Sequence, residues 1–280
     1  MMQIQLTVTQ RQRLVELSAP LCECDMTFSN TQERDAFFKE RERFYVEQNR
    51  QMLHDLLENR HVLRLSEIET ALCDRLVRLG FTRVLTPTMI SRDMLAKMSI
   101  DEAHPLFKQV FWIDDKRCLR PMHAPNLYAL MGKLRKITRK PVRIFECGSC
   151  FRKESQGALH LNEFTMLNLV ELGGVKEGEQ AARLEFLARE MMDAAGILEY
   201  DLVTEQSEVY GETLDIEIAG EEAASGASGP HPLDDNWQIT DPWVGLGLGL
   251  ERLAMLKSGF LNIARVGRGL QYLDGARLNL

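Results

Sequence analysis

The stretch that decides the fold is VRIFECGSCFRKESQGALHLNEFTMLNLVEL, residues 142–172. It contains two long runs rich in apolar residues, joined by a short loop at SQGA. Two such runs separated by a few turn-forming residues predict a pair of antiparallel strands. Around this pair, helical and strand patterns are clustered and do not alternate regularly. We therefore expect an α+β fold on an antiparallel sheet flanked by helices, and not a doubly wound parallel sheet.

The N-terminal 60 residues are polar and helix-favouring, and they predict a helical segment with a short helix followed by one long amphipathic helix. We expect residues 61–280 to form the main domain. Ser66 and Glu69 have the spacing of a capping box at the start of its first helix, and Gly80 ends that helix. The remaining predicted elements are a strand at 81–85, a hairpin from 110–113 to 118–120, helices at 124–136 and 177–195, several short strands at 200–229, and a strand followed by a helix at 243–257.

Composition limits the possible classes of protein. The chain has 280 residues, of which 45% are hydrophobic and 27% charged, which is typical of a soluble globular protein. No apolar run is long enough for a membrane helix and no signal-peptide pattern is present, so we expect a cytoplasmic protein without a membrane partner. The six cysteines are too sparse for a disulfide scaffold, and we expect reduced thiols.

A net charge of −7 argues against a protein that coats nucleic acid by bulk electrostatics. It leaves room for a local basic patch. Six cations fall within eleven residues without an acid among them: Lys133, Arg135, Lys136, Arg139, Lys140 and Arg143. This patch either contacts a phosphate backbone or is simply a solvated helix face and loop.

Three glycines, Gly245, Gly247 and Gly249, alternate along the last predicted strand before the helix. On one strand face they would leave a flat slot in which a planar nucleobase could lie, although simple close packing explains the same pattern. Arg252, near the helix N-terminus, could meet a phosphate that the helix dipole also favours. The glycines do not end in Gly-Lys-Ser/Thr, so this is not a P-loop.

Arg152 and Glu154 are two residues apart and therefore share one face of a strand. A guanidinium can clamp a phosphate and a carboxylate can accept from an exocyclic amine, so the pair could hold a nucleoside triphosphate. An exposed ion pair is the alternative.

On the returning strand one face carries Phe164, Met166, Asn168 and Val170. Asn168 is the only polar member of this row and needs either a protein partner or a ligand.

Glu222 and Ser225 offer oxygen ligands suited to Mg²⁺, although two residues do not define a site and a turn is the simpler interpretation. Cys147 and Cys150 have the spacing of half a zinc knuckle, but the sequence offers no matching second half. The six histidines show no metalloprotease or triad spacing, and no nucleophile motif of a hydrolase is present.

Taken together, the motifs resemble those of class II aminoacyl-tRNA synthetases: a helix and strand ending at Pro87, the FRKE strand-loop-strand, and GLGLGLERL. RPMHAPNLYAL, FRKESQGALHLNEFTMLNL, VYGETLDI and DPWVGLGLGLERL are similar to the catalytic part of pyrrolysyl-tRNA synthetases, from about Leu85 to the C-terminus. The resemblance implies that residues 61–280 are a catalytic domain that activates pyrrolysine with ATP and Mg²⁺ and transfers it to the amber-decoding tRNA(Pyl). It also implies a homodimer.

The resemblance further implies roles for individual residues. It assigns Arg152 and Arg252 to the ATP phosphates as catalytic groups, Glu154 to the adenine amine and Phe164 to stacking on adenine. Leu161, Glu222 and Ser225 complete the ATP site, the last two at Mg²⁺. The implied amino-acid pocket consists of Ala124, Leu127, Tyr128, Met131, Asn168, Val170, Tyr210, Trp243 and Gly245. Within it, Asn168 would read the amide of the substrate, and Tyr210 would form a mobile lid.

Three departures from the family pattern stand out. Val170 replaces a Cys common in archaeal relatives, and His123 stands where Leu is usual, which could reshape the pocket. The chain also lacks the N-terminal tRNA-binding domain fused to many archaeal members, so we expect that a separate protein supplies it.

Two alternatives stay open. One is a class II synthetase for another large or phosphorylated amino acid, of the phenylalanyl or phosphoseryl type. The other is a non-catalytic tRNA-binding paralogue. Retention of Arg152, Glu154 and Arg252 argues against lost catalysis, and an apolar pocket with one amide argues against a phosphorylated substrate.

Overall fold

The computed structural model describes residues 3–153, 157–207 and 209–280. It divides into one unit formed by Met1–Arg64 with Ala264–Leu280, and a second formed by Leu65–Ile263. The sequence placed the last 17 residues in the catalytic domain, whereas the structure groups them with the N-terminal segment. None of the helices among the described residues is both long and apolar enough to cross a membrane.

The first unit is mainly helical, as predicted. Its elements are β1 (Ile4–Gln5), α1 (Val8–Glu16), α2 (Leu21–Cys24), β2 (Thr27–Phe28), the long α3 (Thr31–Asp55), a π-helical turn (Leu56–Arg60) and two short strands, Tyr272–Leu273 and Ala276–Arg277. Asn49 of α3 links these pieces, because its side chain donates to the carbonyl of Leu17 (2.9 Å) and accepts from the backbone N–H of Arg277 (2.6 Å). Arg265 also donates to the carbonyl of Val15 (2.6 Å). These buried hydrogen bonds explain why the C-terminal residues belong to this unit.

The second unit carries a sheet and its flanking helices. Its strands are β3 (Thr82–Arg83), β4 (Met89–Ser91), β5 (Arg117–Leu119), β6 (Val142–Phe151), β7 (Glu163–Leu172), β8 (Asp201–Ser207), β9 (Gly211–Ile218), β10 (Glu221–Gly229) and β11 (Trp243–Gly249). Its helices are α4 (Arg64–Arg78), α5 (Arg92–Ala96), α6 (Pro105–Gln109), α7 (Ala124–Ile137), α8 (Gln180–Ala195) and α9 (Leu250–Lys257), with 3₁₀ turns at Pro232–Trp237 and Ile263–Arg265.

The main sheet has the strand order β3-β6-β7-β11-β10-β9-β8. Every neighbouring pair is antiparallel except β3 and β6, which are parallel. The antiparallel core predicted from the sequence is therefore confirmed, with one parallel pair at its edge.

Two local predictions need correction. The strand expected at 81–85 is only two residues long. The predicted hairpin does form: Trp112 bridges Cys118, the Leu119 N–H donates to the Phe111 carbonyl (2.9 Å) and the Ile113 N–H to the Arg117 carbonyl (2.9 Å), while β5 also pairs with β4. The capping box at Ser66 is also misplaced, since α4 begins at Arg64. These short segments are decided by contacts with distant parts of the chain, which local patterns do not encode.

The register of three central strands determines which side chains lie next to one another on one face of the sheet. Gly247 of β11 lies between Asn168 of β7 and Ser225 of β10. Directly paired residues of neighbouring strands project to the same face of a sheet. One row of side chains therefore crosses three strands with a glycine in its middle, and the next row repeats the arrangement with Val170, Gly245 and Ala227.

Candidate functional site

A cavity of about 310 Å³ lies on this face of the sheet, in the second unit. It is lined by every residue of the predicted ATP site that the structure describes: Arg152, Leu161, Phe164, Glu222, Ser225 and Arg252. The predicted amino-acid pocket lines it as well: Ala124, Leu127, Tyr128, Met131, Asn168, Val170, Tyr210, Trp243 and Gly245. Glu154, the predicted partner of the adenine amine, lies outside the described residues. The structure thus brings the two predicted sets together in one cavity.

The floor of the cavity requires glycine. A Cβ added at Gly247 would lie 2.6 Å from the Asn168 Nδ2 atom, and one at Gly245 would lie 3.3 Å from the Leu169 carbonyl oxygen. The first distance is shorter than real carbon contacts, so any side chain at Gly247 displaces the amide. The glycines therefore expose bare backbone, as the slot interpretation of the sequence expected.

Two arginines define one end of the cavity. Arg152 follows β6 directly, and its Nε donates to the Pro121 carbonyl (3.0 Å) while its guanidinium lies 5.3 Å from the Phe164 ring centre. Arg252 lies in the first turn of α9, and its Nη1 donates to the Glu222 carbonyl (2.7 Å). Each guanidinium is oriented by a backbone carbonyl. Two cations beside a helix N-terminus are suited to a polyanionic ligand.

The start of α9 is attached to the sheet by Glu251, which is buried. Its carboxylate accepts from the backbone N–H of Thr165 (2.8 and 2.9 Å) and from the Thr165 hydroxyl (2.9 Å). Charged hydrogen bonds inside a protein are stronger than neutral ones, so this contact fixes the position of the helix and of Arg252 with it.

An acidic edge faces the arginines. A β-bulge between Glu222 and Ala224 shifts the register of β10 by one residue, so that Glu222 and Ser225 face the cavity together. Ser225 Oγ donates to Asp215 (2.6 Å). Burial and, to a smaller extent, the negative charge of Asp215 raise the pKa of Glu222. Its side chain nevertheless remains accessible to water in the cavity. Carboxylate and hydroxyl oxygens gathered in this way are the ligands that hard cations such as Mg²⁺ prefer.

The other end of the cavity is apolar and aromatic. The Tyr128 ring lies edge-on to Trp243 (5.4 Å between ring centres), and the Tyr210 ring also lies edge-on to Trp243 (6.3 Å). Trp243 is fixed through its indole N–H, which donates to Asp234 (2.9 Å). Burial raises the pKa of Tyr128, so its hydroxyl stays neutral at physiological pH. An aromatic compartment with few charges is suited to a long apolar side chain.

Asn168 is held by His123, a contact that the sequence analysis missed. The His123 ring is fully buried, and its Nδ1 lies 3.1 Å from Asn168 Oδ1. Burial and the charge of Arg120 lower the pKa of His123 to about 4, so the ring is neutral. A Cβ at Gly148 would lie 2.9 Å from Arg120 Nη2 and 3.8 Å from His123 Nε2, which places the guanidinium on the Nε2 side of the ring.

The Asn168 contact indicates the tautomer of the histidine. An amide oxygen can only accept, so the proton of the neutral ring lies on Nδ1 and is donated to Asn168 Oδ1. The Asn168 amide nitrogen, which lies towards Gly247, is then the group left for a ligand. The only sequence signal for His123 was its departure from the family pattern.

Other lining residues were also missed as site residues, among them Met122, Met166 and Ala227. Met166 and Ala227 follow from strand alternation once the strands are paired, whereas Met122 lies in a loop without a pattern. In the basic patch, Arg135 pairs with Asp241 (2.8 Å) and Arg143 with Glu171 (2.7 Å), which favours a structural role for these two cations.

The fold and the cavity define a class II aminoacyl-tRNA synthetase. Residues 47–201 match the family described as tRNA synthetases class II core domain (F), and the chain belongs to this family. The chain superimposes on the crystal structure of pyrrolysyl-tRNA synthetase from Desulfitobacterium hafniense with a TM-score of 0.92, at 52% identity over 99% of both chains. A second structure of a pyrrolysyl-tRNA synthetase from that organism gives a TM-score of 0.91 at 51% identity, covering 99% of this chain and 98% of the other. The resemblance drawn from the motifs is confirmed.

More distant relatives match part of the chain. The histidine–tRNA ligase of Methanocaldococcus jannaschii is 30% identical over 140 residues, which is 48% of this chain and 32% of the ligase. The O-phosphoserine–tRNA(Cys) ligase of Methanococcus maripaludis is 25% identical over 186 residues, 62% of this chain and 34% of the ligase. The chain therefore spans about a third of the length of these curated relatives.

Proposed function

We propose that this protein activates pyrrolysine with ATP, forming an aminoacyl adenylate, and transfers the amino acid to tRNA(Pyl). The observation that carries this proposal is one cavity with two arginines at one end and, at the other, an aromatic compartment that contains the Asn168 amide. The similarity to pyrrolysyl-tRNA synthetases over nearly the whole chain supports the same substrate.

The chemistry needs no covalent enzyme intermediate. The amino-acid carboxylate is already a nucleophile; one of its oxygens bonds to the α-phosphorus of ATP as the bond to pyrophosphate breaks. The negative charge of this step develops on phosphate oxygens. Arg152 and Arg252, held by the carbonyls of Pro121 and Glu222, are oriented before the substrate arrives and stabilise that charge.

The ATP end is proposed to take the nucleotide in a bent form. The Phe164 ring, which lines the cavity beside Arg152, supplies a stacking surface for adenine, and Glu154 is proposed to accept from the adenine amine. Leu161 lines the same end. The donors at Glu222 and Ser225 fit Mg²⁺, which when bound would neutralise phosphate charge. Asp215 orients Ser225 for that role.

The amino-acid end distinguishes between candidate substrates. A phosphoserine pocket would require cations around the side chain, but the compartment beyond Asn168 is lined by Leu127, Tyr128 and Trp243. A phenylalanine pocket would be shallower and would have no use for the amide. A long side chain with an apolar ring and one amide carbonyl fits both the depth of the compartment and the donor at Asn168.

For partners, we infer tRNA(Pyl) and a homodimer from the family, and a separate N-terminal tRNA-binding protein from the pattern of the relatives. A protein that charges a tRNA for translation works in the cytoplasm. These inferences do not depend on the geometry of the cavity and are tested separately, by tRNA charging and by the mass of the particle in solution.

The test is amino-acid-dependent exchange of pyrophosphate into ATP, which needs no tRNA. We expect exchange with pyrrolysine or a lysine carbamate and none with phenylalanine, lysine or phosphoserine. Arg152→Ala should abolish exchange while the fold survives. Arg189→Ala, which removes an exposed arginine paired with Glu185 on α8, is the matched control and should leave exchange unchanged.

Three outcomes would change the conclusion. Near-normal exchange in Arg152→Ala would refute the role of that arginine. Exchange with another amino acid would keep the class of enzyme but replace the substrate. A folded protein that binds ATP but is silent with every amino acid, even after tRNA(Pyl) is added, would favour the tRNA-binding paralogue.

A further inference from the structure

The face of the sheet opposite the cavity carries three side chains with metal-binding atoms. Glu69 and Cys73 lie on α4 and Cys147 lies on β6, and one carboxylate oxygen and the two sulfur atoms all lie within 4.8 Å of one another. Cys147 pairs with Leu167, the neighbour of Asn168, and so projects away from the cavity. This cluster is therefore separate from the site of amino-acid activation.

The sequence pattern explains how the cluster forms. Glu69 and Cys73 are four residues apart on a helix, which places both side chains on one helical face. Cys147 meets them from the sheet. Cys150, the other half of the apparent zinc motif, is three residues further along an extended strand and so projects to the opposite face. The partner of Cys147 is thus Cys73, from a distant part of the chain.

We propose that Glu69, Cys73 and Cys147 form a binding site for a thiophilic divalent metal ion of the zinc type. Two thiolates and one carboxylate are an ordinary ligand set for zinc, with water in the fourth position. Two sulfur atoms bound tetrahedrally at about 2.3 Å from zinc lie about 3.8 Å apart. The ligand atoms here lie within 4.8 Å of one another, so small side-chain movements would bring them to bonding distance from one ion.

The surroundings balance the charge of such a site. Arg83 lies 2.8 Å from one carboxylate oxygen of Glu69, which leaves the second oxygen available as a ligand. Two thiolates, one carboxylate, one divalent cation and the guanidinium sum to zero, which a largely buried site requires. Both cysteines are buried, but the Glu69 side chain is 35% exposed and provides a route for the ion and the water. A contact of this kind to a ligating carboxylate is the usual way in which proteins orient it.

Binding is an exchange of protons for metal. Each cysteine thiol releases its proton to solvent as its sulfur bonds to the ion, and no electron is transferred. The affinity should therefore increase with pH. Because the metal replaces two protons, a hundredfold increase per pH unit is the limiting slope where both thiols are protonated in the free protein.

The experiment uses the full-length protein, reduced and freed of metal by a chelator, and titrates it with cobalt(II) chloride. We expect one ion per chain, with the ligand-to-metal charge-transfer band of thiolate ligation and the visible bands of tetrahedral cobalt, and displacement by zinc chloride. Cys73→Ala and Cys147→Ala should lose these bands. Cys150→Ala is the matched control, since Cys150 is also buried on β6 but lies outside the cluster, and it should keep them.

Glu69→Gln covers the case in which a cysteine variant fails to fold, because this half-exposed side chain can change without opening a cavity. It should retain thiolate bands and bind cobalt more weakly, because a neutral amide oxygen is a poorer ligand than a carboxylate. The proposal is overturned if the wild-type protein shows no thiolate charge-transfer band, if Cys150→Ala loses it, or if Cys73 and Cys147 are found joined as a disulfide that excludes the ion. Pyrophosphate exchange is not part of this readout, so the result is independent of the proposed synthetase activity.

Discussion

Replacement of His123 by leucine should reduce the ability of the protein to recognise a carbonyl on the amino-acid side chain. His123 Nδ1 lies 3.1 Å from Asn168 Oδ1 and holds the amide so that its nitrogen is left for the ligand. Leucine is close to histidine in volume, so the apolar packing is kept while the hydrogen bond is lost. The perturbation therefore acts on the orientation of Asn168 and not on the shape of the pocket.

The magnitude follows from one buried hydrogen bond. The net value of such a bond is about 0.5–1.5 kcal/mol, which corresponds to a decrease of about 2- to 10-fold in kcat/KM for a substrate that uses the amide. The variant also removes the His123 Nε2 atom, which has no hydrogen-bond partner among the described residues, so the free energy of unfolding should change by less than about 1 kcal/mol.

The assay is pyrophosphate exchange with two lysine derivatives of equal length, one with a carbonyl at Nε and one with a methylene in its place. The decrease should appear with the first substrate alone. In a second series on an Asn168→Ala background, replacing His123 should have no further effect, because the group that it orients is gone. Equal losses with both substrates, or an undiminished effect of His123→Leu in that background, would refute the reasoning.

Three further predictions rest on the same region. Gly247→Ala places a carbon 2.6 Å from the Asn168 amide and should reduce exchange by more than about tenfold, with a normal thermal unfolding curve; unchanged kinetics would contradict the packing argument. Glu251→Gln weakens the bonds from Thr165 and should lower the free energy of unfolding by about 1–3 kcal/mol in urea titrations, whereas a change below 0.5 kcal/mol would show that the charge is unimportant. Because the pKa of His123 is lowered to about 4 from 6.5, the unfolded chain takes up this proton first, and stability should fall as the pH drops from about 6.5 to about 4. His123→Leu should lose less stability over that interval, and an identical pH profile would be evidence against the shift.

The long elements could be predicted because their patterns are local. The helix that carries Tyr128, the strand pair of residues 142–172 and the passage from Trp243 into α9 all appear where the sequence indicated. Each is long enough for the spacing of its apolar residues to be recognised even where single positions depart from the pattern. The strand expected at 81–85 is shorter than predicted and β4 was not predicted, since two or three residues adopt extended structure only where a distant partner supplies the hydrogen bonds.

The acidic edge of the cavity shows a limit of strand alternation. Glu222 and Ser225 are three residues apart, so on a regular strand they would point to opposite faces, and only the bulge in β10 brings them together. The resemblance to a family selected both residues, but the spacing alone would have separated them. The same holds for Cys147, whose apparent partner three residues away lies on the other face while its actual neighbour comes from α4.

The sequence by itself determined the class of fold, the long elements and the chemical types of the cavity residues, because these depend on local periodicity and on side-chain identity. Only the tertiary structure decided which residues meet: Asn168 with His123, Ser225 with Asp215, and Glu69 with two distant cysteines. Such contacts depend on strand register and on the packing of helices against the sheet. Both are properties of residues far apart in the chain, and no local pattern encodes them.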